Sequence, residues 1–225
     1  MNKNLQIWEE IFQTNEWGKY PAIPLVKFMA KNFYKVTNRN NVKVLELGFG
    51  PGANLWFIAR EGFCVNGIEG SKTACQHTID RLKSEQLEKQ IGNFLVGDYY
   101  DLLKGLENES FDAIIDIESL CCNSFTKTKE IIEVAFNKLK IGGKMLSITF
   151  AEGTWGFEGN EIDYHAVLPI EGPLKDEGFN RYTTKDDISK LYKLPCNNII
   201  NIERQELHRS DGNIIKEWII EIEKN

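Results

Sequence analysis

A glycine-rich turn follows an apolar run in the stretch VLELGFGPGAN, Val44 to Asn54. Gly48, Gly50 and Ala53 match the spacing G-x-G-x-x-G/A of a dinucleotide-binding turn, and Glu69 follows about 20 residues after the first glycine. By this spacing alone the turn fits a nicotinamide dinucleotide, with the pyrophosphate on backbone N–H groups and the ribose on the acid. The pattern predicts a nucleotide-like ligand.

Two residues beside these glycines oppose a phosphate. Pro51 removes a backbone N–H from the turn, and the carboxylate of Glu46 would repel a pyrophosphate. S-adenosylmethionine meets neither objection, because it has no phosphate, carries an ammonium that a carboxylate can bind, and has two ribose hydroxyls that Glu69 can accept from. Glycines still allow the backbone to approach such a ligand closely. We therefore favour S-adenosylmethionine over a nicotinamide dinucleotide.

The apolar periodicity around the turn predicts the elements that position it. Two N-terminal helices are separated by EWGKYP, and five strands then alternate with helices, the last of which, Lys127 to Lys140, is expected to end at Gly142-Gly143. The runs NIINIERQELHR and NIIKEWIIEIEK, joined by SDGN, predict an antiparallel hairpin. The fold class is therefore α/β: a Rossmann-like, doubly wound, mostly parallel seven-stranded sheet with an antiparallel C-terminal hairpin and N-terminal helices. Ligands are expected outside the carboxyl ends of the strands.

A single domain is expected over residues 1–225, since this length suits one α/β core. Its predicted parts are an N-terminal helical cap (1–40), a cofactor-binding core (41–150), a substrate loop or lid (151–183), and a C-terminal helix with the hairpin (184–225). The loop is rich in glycine and aromatic residues.

Composition narrows the classes of partner. A net charge of −6 speaks against nucleic acid, which needs clustered Lys and Arg. No run approaches about 18 uninterrupted apolar residues. We therefore expect a cytoplasmic location and no contact with a membrane. Five cysteines without CxxC spacing predict free thiols and no metal site. We expect a monomer or homodimer that binds small molecules.

Five motifs in order resemble those of class I S-adenosylmethionine-dependent methyltransferases, the small-molecule type related to the ubiquinone and menaquinone methyltransferases. They are VLELGFGPGAN, GIEGS, VGDYYDL, FDAIIDIESL and LKIGGKMLSITF. The resemblance covers most of the chain and implies the same fold, S-adenosyl-L-methionine as cofactor and S-adenosyl-L-homocysteine as product.

The resemblance also implies roles for residues of this chain. Gly48, Gly50 and Gly52 would line the methionine part, Glu69 the ribose hydroxyls, and Asp98 with Tyr99 the adenine. The segment Asp116 to Glu118 would face the methionine part or the substrate. The remaining cofactor-binding residues expected are Tyr20, Glu46, Phe49, Asn54, Gly70, Ser71 and Ile117.

The chemistry expected of the protein depends on the acceptor. An alcohol or phenol needs a proton acceptor, whereas a neutral amine attacks unaided. We expect oxygen, with His165 as general base, Tyr164 as its substitute and Glu118 beside it in the catalytic set. Related quinone enzymes often carry a Glu-His pair where this chain has Cys121 and Cys122, so a quinone-type base is in doubt.

The acceptor itself is expected to meet a small set of pocket residues. Cys122 and Asn123 are candidates, although buried inert thiols are the simpler interpretation of the cysteines. Trp155 and Arg181 could bind a planar, polar or anionic acceptor. A non-catalytic cofactor-binding protein and a nicotinamide oxidoreductase stay open as alternatives.

Overall fold

The structure is a computed structural model that describes residues 3–225. Its helices are α1 (Lys3–Thr14), α2 (Ile23–Phe33), α3 (Ala53–Arg60), α4 (Lys72–Ser84), α5 (Tyr99–Lys104), α6 (Phe125–Lys138) and α7 (Lys185–Leu191). Its strands are β1 (Lys43–Leu47), β2 (Cys64–Glu69), β3 (Ile91–Val96), β4 (Phe111–Ile117), β5 (Leu139–Phe150), β6 (Ala166–Val167), β7 (Asn180–Arg181), β8 (Asn197–His208) and β9 (Ile214–Lys224).

Seven of these strands form one sheet in the order β3-β2-β1-β4-β5-β9-β8, counted within residues 3–225. The first five pair in parallel, and β9 runs antiparallel to both β5 and β8. The strand order reverses between β1 and β4, where a doubly wound sheet opens a crevice at its carboxyl ends. The predicted fold class is confirmed.

Both faces of the sheet are covered by helices, because β1 to β5 carry apolar residues on either side. The core on one face includes residues of α2, α3 and α4, and the core on the other includes residues of α5, α6 and α7. In the first core Leu25, Phe28 and Leu55 are almost wholly buried, and in the second Ile132 and Ile188 are. The sheet is therefore a rigid platform for the residues at its carboxyl edge.

Several helices begin where side chains satisfy their first N–H groups. The hydroxyl of Ser71 accepts from the backbone N–H of Ala74, and Thr184 with Asp187 forms a capping box. Helix α4 accordingly begins directly after Ser71, and it ends at Ser84.

The prediction that the helix before β5 extends to Lys140 is wrong. α6 ends at Lys138, and Leu139 already pairs with Phe111 of β4. The two glycines lie inside β5, where Gly142 has a φ of +75° and the register with β4 shifts. The pair Gly142-Gly143, which is typical of the residues that follow a helix, lies here at a bulge near the start of a strand.

The segment 151–183 is irregular, as its lack of periodicity predicts. Its only strands among the described residues are β6 and β7, which pair through Ala166 with Arg181 and Val167 with Asn180. Leu174 packs with Phe150 and Phe157 in a small separate core. These contacts fold the segment back over the carboxyl edge of the sheet.

Across the described residues, the helices lack the combination of length and apolar character that crossing a bilayer requires.

Candidate functional site

A cavity of about 400 Å³ opens at the carboxyl ends of β1, β2 and β4. The glycine turn forms its floor, and residues after β3 and β4 form one side. The face of α1 that carries Leu5, Trp8 and Phe12 covers it from above, together with the loop Pro173 to Glu177. The cavity therefore lies where the reversal of strand order predicts a ligand.

The glycine turn fits against its neighbours with no room for side chains. Gly48 has a φ of +68°, and a Cβ there would lie 1.8 Å from the Oγ of Ser119. Gly52 has a φ of +79°, and a Cβ there would meet Thr78 of α4 at 2.4 Å. Gly48 lines the cavity, whereas Gly52 serves the packing of α3 on α4, so the role predicted for Gly52 in holding the ligand is corrected.

Glu69 fastens the turn to the end of β2. One carboxylate oxygen accepts from the backbone N–H of Gly50 at 2.7 Å, and the other accepts from that of Ser71 at 2.8 Å. Burial raises the pKa of Glu69, and these hydrogen bonds oppose the shift. Ser71 itself does not line the cavity, because its hydroxyl caps α4 and its N–H is held by Glu69. Each oxygen of Glu69 retains a lone pair for a hydroxyl donor.

Glu46 is a nearly fully buried acid on the cavity wall. Its Oε1 accepts from the side-chain amide of Asn54 at 2.7 Å, while its Oε2 is buried with no hydrogen-bond partner. Burial raises the pKa of Glu46 to about 8, and the carboxylates of Glu69 and Asp116 add to the shift. A buried carboxyl oxygen without a donor indicates a ligand with a donor group at this point.

The opposite side of the cavity is formed by residues after β3 and β4. Asp98 caps α5 by accepting a hydrogen bond from the backbone N–H of Tyr100, and it also lines the cavity. The hydroxyls of Tyr99 and Ser119 form a short hydrogen bond beside Gly48. Ile117 and Asn123 complete this wall.

Asp116 does not line the cavity, contrary to the prediction. It is buried and accepts from the backbone N–H groups of Ser119 and Leu120 and from the hydroxyl of Ser147 at 2.6 Å. Burial raises its pKa to about 6. Asp116 therefore shapes the turn after β4 that carries Glu118.

Glu118 lies on the cavity wall with a φ of +56°. Burial and a hydrogen bond with the carboxyl of Glu217 raise the pKa of Glu118 well above its usual range. A second carboxyl in contact disfavours ionisation of Glu118, because two like charges at such close range repel each other. Cys122 also lines the cavity, and its thiol lies 3.5 Å from the Oδ1 of Asn180, whereas Cys121 is buried behind it.

Helix α1 is tied to the core by Glu9, a contact that the sequence does not signal. Its carboxylate accepts from the hydroxyls of Ser71 and Thr73 at 2.5 and 2.6 Å. Burial would raise the pKa of Glu9, but these hydrogen bonds outweigh it and lower the pKa to about 2. At the other end of the cavity, the side-chain amide of Asn4 donates to the carbonyl of Cys122. Both contacts hold α1 over the cavity.

Glu177 is a further cavity residue that sequence reasoning missed. It lies in the irregular segment, and its Oε2 is buried without a hydrogen-bond partner. Burial raises the pKa of Glu177 to about 7. No local pattern marks this glutamate among the other acids of the segment, since its position depends on how the loop folds over β5.

His165, the predicted general base, lies outside the cavity. Its Nδ1 is 2.7 Å from the Oδ2 of Asp187, and its ring is stacked between Tyr164 and Tyr182. Tyr164 donates to the other oxygen of Asp187. Burial would raise the pKa of Asp187, but hydrogen bonds from Thr184, His165 and Tyr164 lower it. His165 and Tyr164 thus hold the start of α7, and their predicted catalytic roles are corrected.

Arg181 and Trp155 are likewise placed away from the cavity. Arg181 is almost wholly buried, where it donates to the hydroxyl of Thr183 and lies 5.9 Å from the ring of Phe125. Trp155 packs beneath Arg209 of the hairpin loop. Neither can bind an acceptor in the cavity, because both side chains serve the packing of the loop.

The structure brings most of the predicted cofactor residues to one cavity. Predicted residues that line it are Tyr20, Glu46, Gly48, Phe49, Gly50, Asn54, Glu69, Gly70, Asp98, Tyr99, Ile117, Glu118, Cys122 and Asn123. Predicted residues that are not part of its lining are Gly52, Ser71, Asp116, Trp155, Tyr164, His165 and Arg181.

Comparisons with known proteins bear on this cavity. A family model described as a methyltransferase domain matches residues 38–209. The curated protein Hemagglutinin 1 of Eikenella corrodens is 25% identical over 140 residues, which are 62% of this chain and 42% of that protein, so the chain spans less than half the length of this relative. The family description names no quinone substrate, and the closer resemblance to quinone enzymes stays a prediction.

Solved structures of similar fold include two methyltransferases. One, described as S-adenosylmethionine-dependent and from Methanosarcina mazei, is 20% identical with a TM-score of 0.70, covering 88% of this chain and 96% of its own. The other, geranyl diphosphate C-methyltransferase from Streptomyces coelicolor A3(2), was solved with Mg²⁺, geranyl diphosphate and S-adenosyl-L-homocysteine. It is 10% identical with a TM-score of 0.70, covering 100% of this chain and 98% of its own. At these identities the likeness is one of fold.

Proposed function

The chain belongs to the methyltransferase-domain family, and from this premise we propose that it transfers a methyl group from S-adenosyl-L-methionine to a small-molecule acceptor in the cavity described above. Loss of the methyl group converts this cofactor to S-adenosyl-L-homocysteine. S-adenosylhomocysteine is bound to the solved geranyl diphosphate C-methyltransferase of the same fold.

The observation that carries the proposal is the buried oxygen of Glu46 without a hydrogen-bond partner. In its ionised form the Glu46 side chain, held by Asn54 on the cavity wall, can accept a hydrogen bond from an ammonium. Among residues 4–225, whose side chains the structure describes, the cavity lining contains no Lys, Arg or His that could balance the charge of a pyrophosphate. The nicotinamide alternative is therefore disfavoured on charge.

The remaining residues fit the other parts of the cofactor. Glu69 retains lone pairs at the end of β2 for the ribose hydroxyls, and Asp98 lies after β3 on the side expected for adenine. The turn containing Gly48 brings bare backbone to the cavity surface. Leu5 and Phe12 of α1 lie directly above Gly70 and Gly50, so they would cover the ligand.

The cofactor, when bound, supplies an electrophilic methyl group on a sulfonium, and the protein's part is to hold the acceptor in line with it. Helix α1 and the loop Pro173 to Glu177 line the cavity and would shield a bound ligand from water. Glu118 and Glu177 are the carboxyl groups near the remaining space that can hold or take a proton. The oxygen acceptor expected from the sequence depended on His165 as base, and that support is withdrawn.

A cavity roofed by α1 and a loop favours a small molecule over a macromolecule as acceptor. A substrate role for the segment 151–183 is supported by Pro173, Leu174 and Glu177, which line the cavity. We propose neither a nucleic acid nor a membrane as partner.

Calorimetry with S-adenosylmethionine, S-adenosylhomocysteine and NAD in turn tests the cofactor assignment. We expect binding of the first two and none of NAD, and a response to NAD alone would overturn it. Release of S-adenosylhomocysteine in the presence of a metabolite extract then separates an enzyme from a protein that only binds the cofactor.

A further inference from the structure

The cavity has an end that the cofactor assignment leaves unused, formed where α1, β5 and the irregular loop meet. Asn4 of α1 donates to the carbonyl of Cys122 at 2.9 Å. A Cβ on Gly178, the residue after Glu177, would lie 2.7 Å from the Oδ1 of Asn4. Leu174 packs against Phe150 in the same small core. These contacts place Glu177 at the end near Cys122.

The charges along the cavity are of one sign. Among residues 4–225, whose side chains the structure describes, the ionisable lining comprises the acids Glu46, Glu69, Asp98, Glu118 and Glu177, with Tyr20, Tyr99 and Cys122, and no basic residue. Arg181, the cation expected from the sequence to serve the acceptor, is buried in the loop core. An anionic acceptor would therefore meet several carboxyl groups and no compensating cation, which is costly in a desolvated site.

Glu118 and Glu177, the two acids at the acceptor end, differ in their hydrogen-bond partners. The carboxyl of Glu118 is hydrogen-bonded to that of Glu217, so it already has a partner. Glu177 has no such partner: the residue lines the cavity, and its Oε2 is buried without a hydrogen-bond donor. Because burial raises the pKa of Glu177 to about 7, the group can both bind an ammonium as the anion and accept a proton near neutral pH.

We propose that the methyl acceptor is a small amine, bound as its ammonium by the carboxylate of Glu177, which takes the proton before the nitrogen accepts the methyl group. This inference depends on the proposed function. One N–H bond of the ammonium breaks, its proton forms an O–H bond on Glu177, and the bonding pair stays on nitrogen as the lone pair needed for attack. The lone pair would then form the nitrogen–carbon bond as the methyl–sulfur bond breaks with its electron pair left on sulfur, which gives a methylated ammonium, and the carboxyl proton would leave to solvent.

Aromatic rings favour the same class of ligand. Phe150, which packs with Leu174 at this end, contributes to the lining, and ring faces attract organic cations. The acceptor is therefore expected to be an amine that also carries an apolar or aromatic part.

The test uses the protein saturated with S-adenosylhomocysteine and three probes of similar size, phenethylamine, 2-phenylethanol and 3-phenylpropionate, titrated by calorimetry at pH 7.5. We expect phenethylamine to bind at least about tenfold more tightly than 3-phenylpropionate. Glu177→Gln should weaken phenethylamine about tenfold, because a charge-assisted hydrogen bond is lost. It should leave 2-phenylethanol within about twofold.

Glu171→Gln is the matched control, since Glu171 is an exposed acid on the same loop. Glu177→Asp keeps the charge and should retain the preference for the amine. Binding of S-adenosylhomocysteine is measured first on every variant, and its absence from the wild-type protein would overturn the proposed function. If S-adenosylhomocysteine binds but the three probes bind equally, or not at all, the amine inference alone is overturned. An unchanged preference in Glu177→Gln would overturn it as well.

Discussion

Ionisation of Glu46 should be coupled to cofactor binding. Burial raises the pKa of this carboxyl to about 8, so about nine-tenths of the unliganded protein is protonated there at pH 7. An ammonium beside the unpartnered Oε2 favours the anion. Binding of S-adenosylmethionine at pH 7 should therefore release close to one proton from this site. Calorimetry in two buffers of different ionisation enthalpy counts the released protons.

The pH dependence of affinity follows from the same pKa. Ionising Glu46 at pH 7 costs about 1.4 kcal/mol, and each pH unit below that adds a similar amount. Affinity for the cofactor should thus rise about tenfold between pH 6 and pH 7, where the ammonium of the ligand stays charged.

Glu46→Gln isolates this effect, because the amide keeps the shape but has no proton to release. The variant should lose the proton release and this part of the pH dependence. Its affinity at pH 7 should fall by no more than about tenfold, since the lost charge-assisted hydrogen bond is partly offset by the absent ionisation cost. Wild-type binding without proton release, and with the same pH slope as Glu46→Gln, would refute the reasoning.

The folded-state pKa of Glu46 also makes a prediction about stability. Because this pKa lies above the ordinary value of 4.5, the folded protein holds the proton more tightly than the unfolded chain. The contribution of Glu46 to the free energy of unfolding is therefore fully present below about pH 4.5 and is lost as the pH rises towards 8. Glu46→Gln should flatten this decline in urea unfolding measured at pH 6 and pH 9.

Three further changes test other parts of the site. Gly48→Ala should lower the free energy of unfolding by about 2 kcal/mol or more in urea, because the new Cβ clashes with Ser119 at a positive φ. Glu9→Gln should weaken S-adenosylhomocysteine binding severalfold and cost about 1 kcal/mol of stability in urea at pH 7, because its solvent-screened hydrogen bonds anchor α1. The pKa of Glu9, lowered to about 2, means that this contribution is present above about pH 4.5 and is lost as the pH falls towards 2. His165→Ala should lower the melting temperature while turnover stays within about twofold, because the ring supports Asp187 outside the cavity.

Each of these changes has its own control or contrary result. Gly18→Ala serves beside Gly48→Ala, since a Cβ there meets nothing within 4 Å, and equal effects would contradict the steric argument. Glu10→Gln serves beside Glu9→Gln, because Glu10 is an exposed acid on the same helix. For His165→Ala, lost turnover with an unchanged melting temperature would restore the base assignment.

Short-range patterns in the sequence predicted much of the fold. The alternation of five strands with helices and the C-terminal hairpin were predicted, because apolar periodicity and turn residues act over a few residues. The same patterns failed at Gly142, where a glycine inside a strand resembles one after a helix.

The sequence by itself determined the parts of the site that lie next to strand ends: the turn at Gly48, and the acids Glu46 and Glu69. Their positions follow from the strands that carry them, because carboxyl ends of parallel strands meet at one edge. Only the tertiary structure decided that Glu177 enters the cavity and His165 does not. Those two lie in one aperiodic loop, and their placement depends on packing against α1 and α7, elements distant in sequence that no local periodicity encodes.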